Sequence, residues 1–254
     1  MLKLIKYEFL RKYKLILMTI ISAVIANLFL ITKGVSGSTS FLVFFPLVLF
    51  ILYVSDIIRM YSDDLNKKTG YMLFMTPNSG YKIIASKLIT AVFEGLAILL
   101  LYFVFILLNG TYIFYAAGVN FDEIMRSINS ALSGSLGLNL GHVFVFLLTA
   151  LVFIIGFIVT VYTAITIRKS IFSEMKFGGT LSFIIFIGLN WVISFVSSKF
   201  YSVLSPNYDY YMNLSAISVS ELAVILFPII ALSIIQIILL TVCSGYLLEK
   251  KINL

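Results

Sequence analysis

Six runs of 16 to 30 residues, apolar and almost free of charge, constrain this chain more than anything else in it, because a soluble fold has no place for them. They are Leu15–Thr32, Phe41–Met60, Leu88–Ala117, His142–Ile167, Leu181–Val196 and Leu222–Leu248. A hydrocarbon core about 30 Å thick is crossed by about 20 helical residues. Lipid offers no hydrogen bonds, and a helix satisfies its own backbone within one segment. The expected fold is therefore all-α: a polytopic membrane protein whose residues 1–254 form a single transmembrane domain of six helices. Composition agrees, with 61% hydrophobic and only 11% charged residues, against about 25% charge in ordinary soluble domains. The third and sixth runs exceed the minimum length and are expected to tilt or to extend into the cytoplasm. The first is followed by Lys33-Gly34-Val35-Ser36, without a small-residue cleavage site, and reads as a mature helix rather than a signal.

Orientation follows from the basic residues. With the N-terminus inside, Lys33, Arg126 and Lys199 lie outside, and the other fifteen of the 18 Lys and Arg lie inside. Cytoplasmic loops carry such an excess, so both termini are expected in the cytoplasm. The net charge of +7 then describes a membrane face meeting anionic lipid, and nucleic acid is not expected as a partner.

Between the spans, residues 1–14 form an amphipathic stretch expected to lie in the membrane interface. Leu2, Ile5, Phe9 and Tyr13 fall on one face, with Lys3, Tyr7, Arg11 and Lys14 opposite. The cytoplasmic segment 61–82 mixes charge with the apolar run Tyr71–Met75, too short to span and too apolar to stand in water. Pro77 ends that run, Asn78 or Ser79 is placed to cap the next helix, and Tyr81, Ile84, Ala85 and Leu88 give that helix an apolar face. Two extracellular loops are expected, 118–141 and 197–220. The first holds an amphipathic helix over Asn120–Leu136, with Asn120 and Glu123 spaced as a capping box. The second holds Tyr201, Tyr208, Tyr210 and Tyr211, suited to an aromatic belt.

Polar groups inside the spans invite a functional question, because a charge at mid-membrane costs about 2.5–3.5 kcal/mol on insertion scales. Glu94, two turns past Lys87, either faces a substrate cavity, pairs with a partner helix across a dimer, or stays shallow enough to be wetted. Asp56 and Arg59 are spaced for a local ion pair. Asn27, Asn190 and Gln236 suit interhelical hydrogen bonds, and Trp191 lines a pathway or packs. Gly137 and Gly141 make a weak GxxxG. Cys243 reads as a small buried hydrophobe, and His142 as a polar residue at the membrane boundary.

The motifs that are missing exclude whole classes of function. There is no GxxxxGK[ST], hence no P-loop for ATP. One histidine cannot supply HExxH or a multi-histidine metal site, and no GxSxG marks a nucleophile. No catalytic residue, metal or directly bound cofactor is expected.

Taken together, these features resemble the permease subunits of type-2 ABC exporters (ABC-2 permeases). The resemblance runs the length of the chain. It rests on the start Leu4-Ile5-Lys6-Tyr7-Glu8-Phe9-Leu10-Arg11-Lys12, on the six spans, and on the loop Asp64…Thr69-Gly70…Leu73…Pro77…Lys87. Short loops look most like the bacitracin-resistance, lantibiotic-immunity and peptide-toxin export group of Gram-positive bacteria. The resemblance implies a coupling helix in segment 61–82 that meets a separate P-loop ATPase through Thr69, Gly70, Tyr71, Phe74 and Met75. It also implies ATP and Mg bound by that partner, a second permease copy or sibling, the bacterial cytoplasmic membrane, and export of a hydrophobic or amphipathic substrate. The competing expectations are an ion-coupled secondary transporter built on Glu94 and an intramembrane enzyme.

Overall fold

The computed structural model describes residues 2–66, 79–132, 140–172, 178–204 and 218–250. All its regular elements are α-helices: α1 (Leu2–Ile31), α2 (Val35–Asn66), α3 (Gly80–Ala116), α4 (Phe121–Leu132), α5 (Leu140–Ile171), α6 (Gly178–Leu204) and α7 (Val219–Lys250). All but α4 are long and apolar enough to cross a membrane, so the chain is an all-α polytopic membrane protein with six spanning helices. Their outer surfaces are apolar, as lipid requires: Phe103, Leu107, Phe146 and Phe227 are all exposed.

Each helix is longer than its apolar run, and the extra turns change one expectation. Residues 2–14 form no separate interfacial helix; they are the first turns of α1, continuous with the first span. Their inward side also carries charge beside the half-buried Ile5 and Phe9. Glu8 and Lys12 are buried, while Tyr7, Leu10 and Tyr13 face outwards. Segment 61–82 is likewise narrowed, because α2 continues to Asn66 and α3 begins at Gly80.

Helix ends follow local chemistry. Gly34 and Gly118, both with positive φ (79° and 69°), end α1 and α3, a conformation costly for any side chain. At Gly118 the Gly118 and Val119 amides donate back to Tyr115 and Phe114 carbonyls, which is a Schellman closure. Asn120 caps α4, its carbonyl accepting from Glu123 and Ile124 amides. Helix α7 starts with a capping box: the Ser218 amide donates to Glu221 Oε2 at 2.7 Å, and the Glu221 amide to Ser218 Oγ at 3.3 Å.

The chain divides into two compact units. Unit 1 comprises Met1–Asp63 and Ala85–Met125; unit 2 comprises Asp64–Ile84 and Arg126–Leu254. Unit 1 is built on α1, α2 and α3. Its core contains Ala23, Phe41, Phe45, Leu49 and Phe105. Phe41 stacks on Phe45 with centroids 4.5 Å apart, and both meet Phe105 edge-on, the geometry aromatic rings prefer. Pro46 lies inside α2. Proline has no amide hydrogen, so the carbonyl four residues earlier loses its helical donor. That carbonyl is Leu42, and Tyr102 of α3 donates its hydroxyl there at 3.0 Å. Close by, Tyr53 Oη donates to the Ala91 carbonyl at 2.9 Å. Gly95 leaves the room, since a Cβ there would stand 2.9 Å from that hydroxyl.

In unit 2, α5 packs mainly on α7 and next on α6. Residues Ile158 to Thr166 of α5 are buried on every face. Thr160, Thr163 and Thr166 each turn their hydroxyl to the carbonyl four residues back. Thr163 also shares a 2.8 Å hydrogen bond with Ser244 of α7. The most apolar window of α6 has no buried residue.

The pairing of Tyr102 with the proline-orphaned carbonyl sets a double-mutant test. Tyr102→Phe should destabilise the protein by about 1–2 kcal/mol, the cost of an unmet buried carbonyl. In a Pro46→Ala background the restored amide serves Leu42, and the same change should cost markedly less. Thermal unfolding of the four proteins in detergent measures the coupling; additive effects would contradict the assignment.

Candidate functional site

The charge-free stretches of α1, α2 and α3 end together. No charged residue lies between Lys14 and Lys33, between Lys33 and Asp56, or between Glu94 and Asp122. Each stretch is about the length of a full membrane crossing, so Asp56 and Glu94 stand at one edge of the hydrocarbon. The basic-residue bias makes that edge the cytoplasmic one.

At this edge unit 1 buries a layer of ionisable side chains. Lys12 of α1 is ion-paired with Asp56 of α2 and with Glu94 of α3, the latter at 2.6 Å. One turn earlier on α1, Glu8 accepts from Lys87 Nζ of α3 at 2.8 Å, and Arg11 lies 3.7 Å from its other oxygen. Lys87 and Arg11 both donate to the Met60 carbonyl of α2 at 3.3 Å. Glu8, Lys12, Asp56, Lys87 and Glu94 are all less than a tenth exposed. Three helices are thereby joined by charge-assisted hydrogen bonds, roughly twice as strong as neutral ones.

This arrangement answers the question the sequence left open about Glu94. At 7% exposure it is not wetted; it pairs with Lys12 of the same chain. Asp56 also finds Lys12 as its ion-pair partner in place of Arg59, whose side chain is exposed. Sequence reasoning missed Glu8, Lys12 and Lys87, treating the first as part of a motif and the lysines as members of the cytoplasmic excess. Their spacing held a signal: Glu8 and Lys12 are four apart, on one stripe of α1.

Next to the layer is a cavity of about 290 Å³ among α1, α2 and α3. Its walls are almost wholly apolar, with Ile16, Ile20, Leu52 and Leu101 among them, and Asp56 and Glu94 form its polar end.

A second feature belongs to unit 2, at the two ends of segment 67–78. Asn66, the last residue of α2, accepts from Arg168 Nη1 near the end of α5 at 2.9 Å. Gly80, the first residue of α3, donates its amide to Glu249 Oε1 near the end of α7 at 3.0 Å. The carboxylate therefore sits at a helix N-terminus, where unpaired amides favour negative charge. The adjacent Tyr81 ring fills the place where a side chain on Gly245 of α7 would stand, and Leu248 is buried beside Gly80. Past the charge layer, α2 runs ten residues to Asn66 and α3 begins fourteen residues before Glu94, roughly 15 and 21 Å of helix.

The remaining sequence-selected residues are scattered. Gln236 of α7 donates to Thr160 of α5 at 3.2 Å, joining two helices. Asn190 instead donates to Phe186 of its own helix, and Asn27 is buried with its amide oxygen unpaired. Asn109, noticed in no such role, joins α2 to α3: Ser38 Oγ donates to its Oδ1 at 2.5 Å. Trp191 is 70% exposed and stacks on Phe195. Cys243 is exposed rather than buried, and His142, near the start of α5, is buried. Thr69, Gly70, Tyr71, Phe74 and Met75 lie outside the described residues, as do Gly137, Tyr208, Tyr210 and Tyr211. No group of metal-ligating side chains occurs among the described residues. No protein-family model matches the chain, and no curated protein or solved structure does so either.

Removing Lys12 would leave two buried carboxylates facing each other. Lys12→Met should destabilise unit 1 by about 3–5 kcal/mol, the cost of breaking a buried pair from one side. Adding Asp56→Asn and Glu94→Gln should recover most of it. Thermal unfolding in detergent reads the difference, and a triple variant no better than Lys12→Met would show that the layer is not held by charge balance.

Proposed function

We propose that this chain is the membrane-spanning subunit of an ATP-driven exporter in the bacterial cytoplasmic membrane, working with a separate P-loop ATPase that binds ATP and Mg. The observation that supports this reading best is the double tether of segment 67–78. One end, Asn66, is bonded to α5 through Arg168; the other, Gly80, is bonded to α7 through Glu249. The same two helices, α2 and α3, continue into the charge layer of unit 1. A force on this one short segment therefore has a bonded route to five helices.

On this reading Thr69, Gly70, Tyr71, Phe74 and Met75 seat the segment in the ATPase. Closure of two ATPases on ATP moves it, and the spans of two permeases, identical or sibling, change between two arrangements. ATP must favour one arrangement over the other for the coupling to work. The permease performs no chemistry; hydrolysis belongs to the partner. The cargo is hydrophobic or amphipathic, in keeping with a peptide toxin, antimicrobial peptide or drug. The alternative reading is an ion-coupled transporter centred on Glu94, which would need no ATPase.

Co-expression with a P-loop ATPase encoded beside the chain, followed by co-purification, tests the reading. The wild-type chain should retain the ATPase. Phe74→Asp should lose it by about tenfold or more, as when a buried apolar anchor is removed, while still inserting in the membrane. Glu249→Gln should keep the ATPase and weaken transport. An ATPase held equally by Phe74→Asp, or by neither protein, sinks the proposal.

A further inference from the structure

We infer that the cavity in unit 1 binds a lipophilic cation, with its charged head at Asp56 and Glu94 and its apolar part along α1 and α3. Three observations combine. The first is charge. Lys12 is one ammonium set between two carboxylates, so carboxylates outnumber the ammonium where the layer meets the cavity. The nearby cations are otherwise engaged: Lys87 and Arg11 bond Glu8 and the Met60 carbonyl. A carboxylate held away from water is stabilised by a further counter-charge. The second is which groups face the cavity. Both carboxylates line the cavity, and no basic side chain does.

The third is the shape and nature of the walls. Beyond the carboxylates they are apolar apart from Thr19 and Tyr53, whose hydroxyls already donate to backbone carbonyls, and Leu15, Ile20, Leu52, Leu100 and Val104 are also exposed. The cavity walls are thus of the kind that meets hydrocarbon rather than water. Such walls offer no ligands to replace the shell of a hydrated inorganic ion. They suit an organic cation that arrives from the bilayer with an apolar chain of its own. At about 290 Å³ the volume lies near the lower limit for small-molecule pockets, about 300–1,000 Å³, which fits one slender amphiphile. On the exporter reading this site would receive the cargo, but binding needs no ATPase and is measured without one.

The probe is radiolabelled dodecyltrimethylammonium, a permanent cation on one alkyl chain. Its binding to the purified chain in phosphatidylcholine nanodiscs is measured against empty nanodiscs. Saturable binding of one cation per chain is expected, displaced by unlabelled dodecyltrimethylammonium but not by dodecanol. Glu94→Gln should weaken it about tenfold or more. Ala97→Trp, which fills the cavity and leaves the charges intact, should abolish it, and this variant decides the matter if Glu94→Gln fails to fold. The inference is overturned if the wild type binds no more than empty nanodiscs do. It is also overturned if dodecanol displaces the cation equally well. Wild-type binding by Ala97→Trp would put the cation elsewhere and overturn it too.

Discussion

Lys12 holds unit 1 together because, at the edge of the hydrocarbon, an ammonium has few places to go. In an isolated helix it would sit one turn from Glu8 and pair with it. The fold sends the two partners in different directions instead: Lys12 to Asp56 and Glu94, Glu8 to Lys87. Each bond joins residues far apart in sequence, and together they fix the rotation and the height of α1, α2 and α3. A slip of one residue along any of these helices would turn a charge into lipid, at several kcal/mol. Apolar packing alone could not set the register so tightly, because lipid tails are as apolar as the side chains they replace.

The same shortage of partners accounts for the smaller polar contacts. Pro46 leaves the Leu42 carbonyl without a donor, and Tyr102 supplies one. Ser38 and Asn109 satisfy each other nearer the other end of the span. In unit 2, Thr160 and Thr163 lie on the side of α5 that meets Gln236 and Ser244 of α7. Their hydroxyls also bond their own helix, so these side chains cost little to bury and still mark which face belongs to the neighbour. Polar groups here specify where helices touch more than they add to stability.

The six spans were legible in the sequence because the membrane enforces them locally: length, apolarity and charge bias are properties of one segment at a time. The ion layer was not, because it depends on which segments meet. Read alone, Met1–Lys14 looks like a helix with cations turned to water and Leu2, Ile5, Phe9 and Tyr13 to lipid. In the fold the face carrying Glu8 and Lys12 turns inwards, since Asp56, Lys87 and Glu94 offer better partners than headgroups do. Glu94 was rightly singled out as a polar residue in need of a reason, but the reason lay 82 residues away. Asn190 misled for the opposite cause: its amide is satisfied by its own helix four residues back, a partner every helical amide has within reach.

Tying three helices at their cytoplasmic edge has a mechanical consequence. Opening a buried ion pair from one side costs about 3–5 kcal/mol, so α2 and α3 cannot slide past α1 at Asp56 and Glu94 under modest force. They move with it as one body. Any displacement applied to the far ends of α2 and α3, near Asn66 and Gly80, must then be carried by the whole of unit 1 or absorbed where the helices are less constrained. The positive-φ glycines at the opposite ends, Gly34 and Gly118, have no side chain to restrict such adjustment.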